Sequence, residues 1–404
     1  MSLTLTWSGR DAADAVGRTR ALCYAPMSSE TATYQQRLAN DTRVQPGDLL
    51  LAERDGAPVG TATSYSMTMW VRGRPVPCQG VAWVGTIKTH RRSGGIASAV
   101  IRAVLDKARE RQQVLSALMP FRASFYDHFG YGLVERRTSW TIPLSILPGG
   151  PTDGFRFVNG SDEARRACRQ RIVEAGQCDI ERSPGSWEIA HLNEQEGYVV
   201  ADHPSGGPMR SWWHWSQERQ NGRDVLTVHD QAYDSIESLR RALAFFATLR
   251  DQYWAVTLLL PADLPLYYLL KETQVPHRPV NHDTAEARTF TRMQVRVLDH
   301  ARLIEGMRVP ATLRGAATVA IAETGGTTST IRIEVEAGRA TARRATGPAD
   351  VECADRTWAA IVLGDLPASR AAELALIKVH TPAALPILDA FAAAGPAPFC
   401  NEYF

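Results

Sequence analysis

Excess charge of either sign is the first thing this sequence lacks: 45 Lys and Arg stand against 43 Asp and Glu, a formal net charge of +2. That balance is without the basic footprint of a nucleic-acid binder, so no nucleic-acid partner is expected. Long apolar runs are missing as well. No stretch approaches the roughly 18 residues that would cross a bilayer, so no membrane partner is expected. The opening Met1-Ser-Leu-Thr-Leu-Thr-Trp7 has neither the basic start nor the apolar core of a secretory signal. The six cysteines, Cys23, Cys78, Cys168, Cys178, Cys353 and Cys400, form no C-x-x-C pair. Their scatter argues against a zinc site and a disulfide framework, so no metal and a reduced, cytoplasmic location are the expectation. Two nucleotide fingerprints are also absent. There is no G-x-G-x-x-G, and no Gly-Lys-Ser/Thr follows the glycines that are present.

What remains is the composition of an ordinary soluble protein, 44% hydrophobic and 22% charged. At 404 residues it is too long for one core, and two or three domains are expected. Its most informative stretch runs Val84-Gly-Thr-Ile-Lys-Thr-His-Arg-Arg-Ser-Gly-Gly-Ile-Ala97. A short β-type run from Val81 to Ile87 enters a turn holding two arginines and two glycines. The turn opens onto Ala97 to Leu105, where apolar residues recur at helical spacing. Strand, Arg/Gly turn, helix is the layout that offers bare backbone N–H groups to a pyrophosphate. Glycine permits close approach, and the helix N-terminus favours negative charge. The competing reading is a plain strand-to-helix turn with solvated arginines.

Residues 1–147 alternate helix (Asp11 to Ala25) with strands (Asp48 to Glu53, Val59 to Met69), then the loop above, a strand at Val114 to Met119 and a short helix near Phe125. A strand at Thr138 to Leu144 leads into Pro143-Leu-Ser-Ile-Leu-Pro-Gly-Gly-Pro151, a candidate boundary. The middle, 148–289, echoes the first third: strand Asp224 to Tyr233, helix Ser235 to Leu249, strand Trp254 to Pro261, then Leu264 to Leu270. Asp230 to Glu237 has no glycine and carries acidic residues where a phosphate would sit. It reads as a degenerate copy unable to bind the same ligand. From 290 to 404 the pattern changes to a strand at Met293 to Asp299, a short helix from His300 and a hairpin of Ala316 to Glu323 with Thr330 to Glu336. Helices are predicted at Thr357 to Leu363, Ala368 to Val379 and Ala383 to Ala394. The chain given ends in Phe399-Cys-Asn-Glu-Tyr-Phe404, an aromatic end where polar residues are usual.

The turn resembles the R-x-x-G-x-G/A pyrophosphate loop of the GNAT superfamily, the acetyl-coenzyme A dependent N-acetyltransferases. It can be read in two registers. Arg92-Ser-Gly-Gly95-Ile-Ala97 fits fully. Arg91-Arg-Ser-Gly94-Gly-Ile96 fits all but the last position, and sits more naturally after the strand. Together with Phe125-Tyr-Asp-His-Phe-Gly-Tyr-Gly132 and the aromatic end, the chain resembles the enhanced intracellular survival (Eis) family. The resemblance implies an α+β chain of two tandem GNAT-like mixed-sheet domains, the second degenerate, followed by a sterol-carrier-protein-like α/β domain. It implies acetyl-coenzyme A as co-substrate, held by Val84, Gly85, Thr86, the loop Arg91, Arg92, Ser93, Gly94, Gly95, Ile96 and Ala97, and Phe121. It implies a primary-amine acceptor of the aminoglycoside or lysine type, with Glu402 and Tyr403 on the substrate side, and a homo-oligomer, hexameric in the family. Tyr126 would protonate the departing thiolate, and the Phe404 carboxylate would take the amine's proton.

Elementary chemistry supports those roles: an ammonium must lose a proton before it attacks, and a phenol can protonate a thiolate held close to it. The oxyanion formed on the thioester carbonyl would need a backbone N–H, which Val84 to Thr86 can offer. Each residue has a plainer reading. Tyr126 and Tyr131 can be core aromatics, His90 and His128 solvated side chains, Trp212-Trp-His-Trp215 a packing stripe, and Phe404 a tucked tail. The competing function is a lipid or small-hydrophobe binder using the last domain, with vestigial GNAT parts. A nucleotide-sensing regulator is disfavoured, because no DNA-reading module is present.

Overall fold

The computed structural model describes residues 2–92, 94–159, 162–274 and 283–404. Three sheets organise it, and the first two share one plan. In the first, strands run in the order Leu3–Ser8, Leu49–Arg54, Ala57–Val71, Arg74–Thr86, Leu115–Leu118, Gln294–Val297 and Gly132–Leu133. In the second the order is Phe155–Phe157, Tyr198–Asp202, Ser211–Gln220, Arg223–Tyr233, Ala255–Pro261, Arg136–Pro143 and Glu286–Thr291. Each sheet carries a parallel crossover at the same place. Arg74–Thr86 feeds helix Ile96–Glu110 and returns parallel as Leu115–Leu118. Arg223–Tyr233 feeds helix Ile236–Ala247 and returns parallel as Ala255–Pro261.

The sixth place of each sheet is filled from elsewhere in the chain. Arg136–Pro143 leaves the first third and pairs with Ala255–Pro261, while Gln294–Val297 comes back to pair with Leu115–Leu118. The strand predicted at the start of the last third therefore completes the first sheet. Pattern alone does not reveal this pairing, because a short apolar strand carries no label for its partner.

The third sheet, in the order Met307–Arg308, Arg339–Arg344, Thr328–Glu336, Gly315–Ala322, Val351–Ala354 and Ile377–Val379, packs on helices Asp355–Val362 and Leu385–Ala393. Its interior is filled by Trp358, Phe391 and the branched side chains of the hairpin. The helix predicted over 368–379 ends at Glu373. Ala375 turns the chain with φ +55, and Ile377–Val379 pairs with Val351–Ala354. The alanines supply helix propensity, but the β-branched Ile377 and Val379 pack better on a pleated edge. Among the described residues no helix is long and apolar enough to cross a membrane.

Candidate functional site

The first sheet opens at one place. Arg74–Thr86 pairs in parallel with Leu115–Leu118 only from Cys78 to Val81. Beyond Val81 it continues to Thr86 with no strand paired on that side among the described residues. The opposite edge is irregular at the same level: Thr61 faces Gly85 and Thr63 faces Ala82, so Trp83 and Val84 together oppose Ala62. This is a β-bulge, with Trp83 at φ +55. Strand splay and bulge leave backbone polar groups near Val84 to Thr86 outside the ladder on the cleft side.

Helix Ala13–Tyr24 closes one wall. Its end packs on Gly85, where a Cβ would lie 2.9 Å from Cys23 Sγ, so no side chain fits. Two cations tie the loop to that helix end. Arg91 Nη2 donates to Cys23 O at 3.2 Å, and Lys88 Nζ donates to Ala25 O. Both therefore cap carbonyls at a helix C-terminus. Arg92 has a different environment. It is exposed, sits at φ +63 and makes no side-chain hydrogen bond or ion pair among the described residues. A non-glycine residue in that region stores strain of order 1–3 kcal/mol, and such strain clusters at ligand loops.

Helix Ile96–Glu110 begins without a side-chain cap, and its N-cap, Gly95, is left-handed at φ +67 with open space where a Cβ would be. Gly94 is left-handed too, and Arg54 fills the space beneath it. The first N–H groups of this helix are thus free for an anion, which fits the pyrophosphate of a coenzyme A thioester. Ile96 is buried in the core and touches Gly60's side of the sheet. Its burial favours the Arg92 register over the Arg91 register. The Arg92 register makes Ile96 the free middle position, where a core side chain belongs. Ser93 lies outside the described residues. The equivalent helix of the second sheet is closed to an anion: Ser235 caps it by accepting from Ser238 N at 3.1 Å, with Asp234 alongside.

Tyr126 and Tyr131 separate cleanly. Tyr131 is fully buried and satisfied, its hydroxyl 2.7 Å from Ser116 Oγ, which donates to Gln79 Oε1 at 2.7 Å. Tyr126 is held by ring edges alone, with centroids 5.0 Å from Phe125, 5.9 Å from Phe121 and 6.0 Å from Tyr131. No hydrogen-bond partner of its hydroxyl is seen among the described residues. Burial, with a smaller push from Tyr131, raises the Tyr126 phenol above its ordinary range. Phe121 is exposed on the loop after the short strand. His128 Nδ1 is 2.8 Å from Ser124 O on an exposed turn, well explained as a local bond.

The tail 399–404 threads between the first two sheets. Arg137 Nη2 donates to Cys400 O at 2.6 Å, and Asn401 N donates to Asp179 Oδ1 at 3.0 Å. Buried Glu402 accepts from Arg182 Nε at 2.7 Å, and Arg182 Nη1 donates to Asp230 Oδ2 at 2.9 Å. Burial alone would depress Arg182, but the two carboxylates outweigh it and hold its guanidinium above the usual range. Tyr403 is exposed, with Arg292 5.5 Å from its ring centroid. The half-buried Phe404 ring lies 3.0 Å from where a Cβ on Gly80 would be, one residue before the splay point. It packs in the same cluster as Tyr65 and Ala82. Glu402 and Tyr403 line a cavity of about 740 Å³ with His214, His229 and Asp230.

Several residues at this cleft carry no motif. Arg20, Tyr34, Asp41, Arg43, Tyr65 and Trp83 line cavities around the bulge and the tail. One signal was available: Val16, Arg20 and Cys23 share a helix face, so an arginine sits on an otherwise apolar stripe.

Residues 11–134 match the acetyltransferase (GNAT) domain family, and residues 302–401 match the sterol carrier protein domain family. The chain thus carries a GNAT acetyltransferase domain with a sterol carrier protein domain behind it. An uncharacterized N-acetyltransferase of Streptomyces coelicolor is 32% identical over 156 residues, 36% of this chain and 38% of that protein. The stretch matched spans between 34% and 38% of the first three Streptomyces relatives' own length. An N-acetyltransferase of Streptomyces griseus is 22% identical over 382 residues, 86% of this chain and 87% of its own. The fold is shared end to end with Eis1 from Mycobacterium abscessus, at TM-score 0.78 and 19% identity, covering 100% of both chains. A GCN5-related N-acetyltransferase from Anabaena variabilis gives TM-score 0.84 at 16% identity, also over 100% of both. The α+β architecture with a GNAT domain and a sterol carrier protein domain is the one the sequence predicts.

Proposed function

We propose that this chain transfers acetyl from acetyl-coenzyme A directly to a primary amine in the cleft of the first sheet. The observation that carries the reading is the contrast between two equivalently placed helix starts. One is uncapped, glycine-lined and flanked by a free Arg92. The other is closed by Ser235 and Asp234. Only the first suits a pyrophosphate, so coenzyme A binding belongs to residues 84–97, with Phe121 at the mouth. The division into units 1–147, 148–289 and 290–404, with Arg136–Pro143 lent to the second sheet and Gln294–Val297 to the first, is part of the same proposal, as are the hexamer and the cytoplasmic location.

In this reading Tyr126 is the general acid. Its hydroxyl is uncommitted, and its raised affinity for the proton keeps it protonated across the working range. The Phe404 carboxylate, at the end of the sequence given, is the base that accepts the amine's proton. Backbone N–H groups at the bulge stabilise the oxyanion as the thioester carbonyl is attacked. The buried contacts of Cys400, Asn401 and Glu402 explain how a chain end can be held still enough for that role. The lipid-binding alternative finds less support, because the interior of the last unit is filled by Trp358 and Phe391.

Turnover of N-tagged, C-tagged and tag-free protein tests the assignment. A C-terminal extension turns the Phe404 carboxylate into an amide and should abolish most turnover, while an N-terminal tag should not. Equal rates in all three would remove Phe404 from the mechanism.

A further inference from the structure

The cleft beside the bulge carries the wrong charge for a polycationic acceptor. A cavity of about 610 Å³ meets Trp83 there and is lined by Arg20, Tyr34, Arg37, Asp41 and Arg43, with Leu38, Ile189 and Leu192 as its aliphatic parts. Three arginines thus face one carboxylate. Asp41 is already engaged: Arg43 Nε and Nη2 each donate to it at 2.9 Å, and Tyr65 donates to Oδ2 at 3.0 Å.

Arg20 and Arg37 have no ion-pair partner among the described residues. Arg37 is exposed in the last turn of helix Thr31–Ala39. Arg20 is 3% exposed, a burial that arginine avoids unless paired. Its guanidinium lies 4.9 Å from the Trp83 ring centroid and donates once, from Nη2 to Thr63 Oγ1 at 2.5 Å. Its buried Nε has no hydrogen-bond partner among the described residues. Burial pulls the group down to about 10, against the nearby Tyr65 and Asp41, so it remains charged at neutral pH. A buried cation with spare donors beside an aromatic wall is built for an anion that arrives with a ligand.

Resting on the acetyl-transfer reading above, we propose that the acceptor is a small amine that also carries a carboxylate, an amino acid with an apolar or aromatic side chain. Arg20 and Arg37 hold the carboxylate. Trp83, Tyr34 and Leu38 hold the side chain, and the amine is left toward the bulge, where the thioester carbonyl is attacked. Aminoglycosides and polyamines, with several cations and no carboxylate, meet repulsion from the same arginines.

Two measurements separate this specificity from the activity itself. The first is titration of N-acetyl-L-phenylalanine and of its amide, in the presence of coenzyme A, into wild type, Arg20→Gln and Arg37→Gln. The acid should bind at least tenfold more tightly than the amide, with the margin lost in Arg20→Gln and reduced in Arg37→Gln. Arg37 is exposed, so its variant folds even if the buried one does not. The second is thiol release from acetyl-coenzyme A with L-phenylalanine, L-phenylalaninamide and kanamycin. Equal binding of acid and amide, or a margin that survives in Arg37→Gln and Arg20→Gln, would overturn the carboxylate subsite, as would kanamycin being the best acceptor. Acid-selective binding without thiol release from any amine would leave the subsite standing and defeat the transferase reading instead.

Discussion

Removing Arg182 should uncouple the chain end from the body of the protein, and the geometry sets the size of the effect. The Arg182 side chain is 4% exposed and bridges Asp230 at 2.9 Å to Glu402 at 2.7 Å. In Arg182→Met both carboxylates lose their cation. Breaking a buried pair from one side typically costs about 3–5 kcal/mol. Asp230 keeps a donor, Asn401 Nδ2 at 3.1 Å, so the lower end of about 3 kcal/mol is expected. The double variant Arg182→Met/Glu402→Gln should recover part of this loss, because one of the two stranded charges is gone. Chemical denaturation of the wild type, both single variants and the double variant gives the coupling directly. Turnover should fall together with stability, since the Glu402 anchor sits two residues before Phe404. Acetyl-coenzyme A affinity should hold, because residues 84–97 make none of these contacts. A loss below about 1 kcal/mol, the worth of an exposed pair, would refute the view that this bridge fixes the tail.

Tyr126→Phe should leave the thermal midpoint nearly unchanged, since no hydrogen bond is lost, while kcat drops by about 10²–10⁴-fold at constant KM for acetyl-coenzyme A. Tyr131→Phe should do the reverse, destabilising the core and sparing chemistry, as melting curves and initial rates will tell. Arg92→Ala should weaken acetyl-coenzyme A binding by about 1.5–3 kcal/mol without loss of stability, whereas Arg91→Ala should lower the melting temperature by freeing Cys23 O. Acid stability should depend on Glu323. Burial pushes its carboxylate up, but hydrogen bonds from His300 and Ser329 outweigh burial and hold it below the usual range. A lowered folded value adds stability that is complete above the unfolded value of about 4.3 and is lost as pH falls through the folded one. Glu323→Gln should therefore flatten the acid limb of a stability–pH curve, and an unchanged limb would place that dependence elsewhere.

Much of this was legible from residue order because the telling features are local. The Arg/Gly turn, the Phe-Tyr-Asp-His-Phe-Gly-Tyr run and the echo around 224–261 each fit inside one supersecondary unit, where spacing reflects geometry. The exchange of Arg136–Pro143 and Gln294–Val297 between sheets was not legible, since β pairing is long-range and a four-residue strand names no neighbour. The difference between Arg91 and Arg92 was hidden for the same reason: it depends on where the end of helix Ala13–Tyr24 lies. Arg20 is the instructive omission. Its place on an apolar helix face is visible in the sequence, but its lack of a carboxylate partner appears only when Thr63, Trp83 and Asp41 are brought around it. The tail shows the limit from the other side. Its aromatic character is plain from the letters, yet what makes it functional in this reading is the buried polar rail of Arg137, Asp179 and Arg182.

The most direct test is to incubate the protein with acetyl-coenzyme A and a primary amine, following thiol release and the mass of the amine in the same reaction. Direct transfer in the first cleft predicts one free thiol for each amine that gains a single acetyl group, with both signals lost together in Tyr126→Phe. Thiol release without acetylated amine, or equal rates of both in Tyr126→Phe, would contradict it.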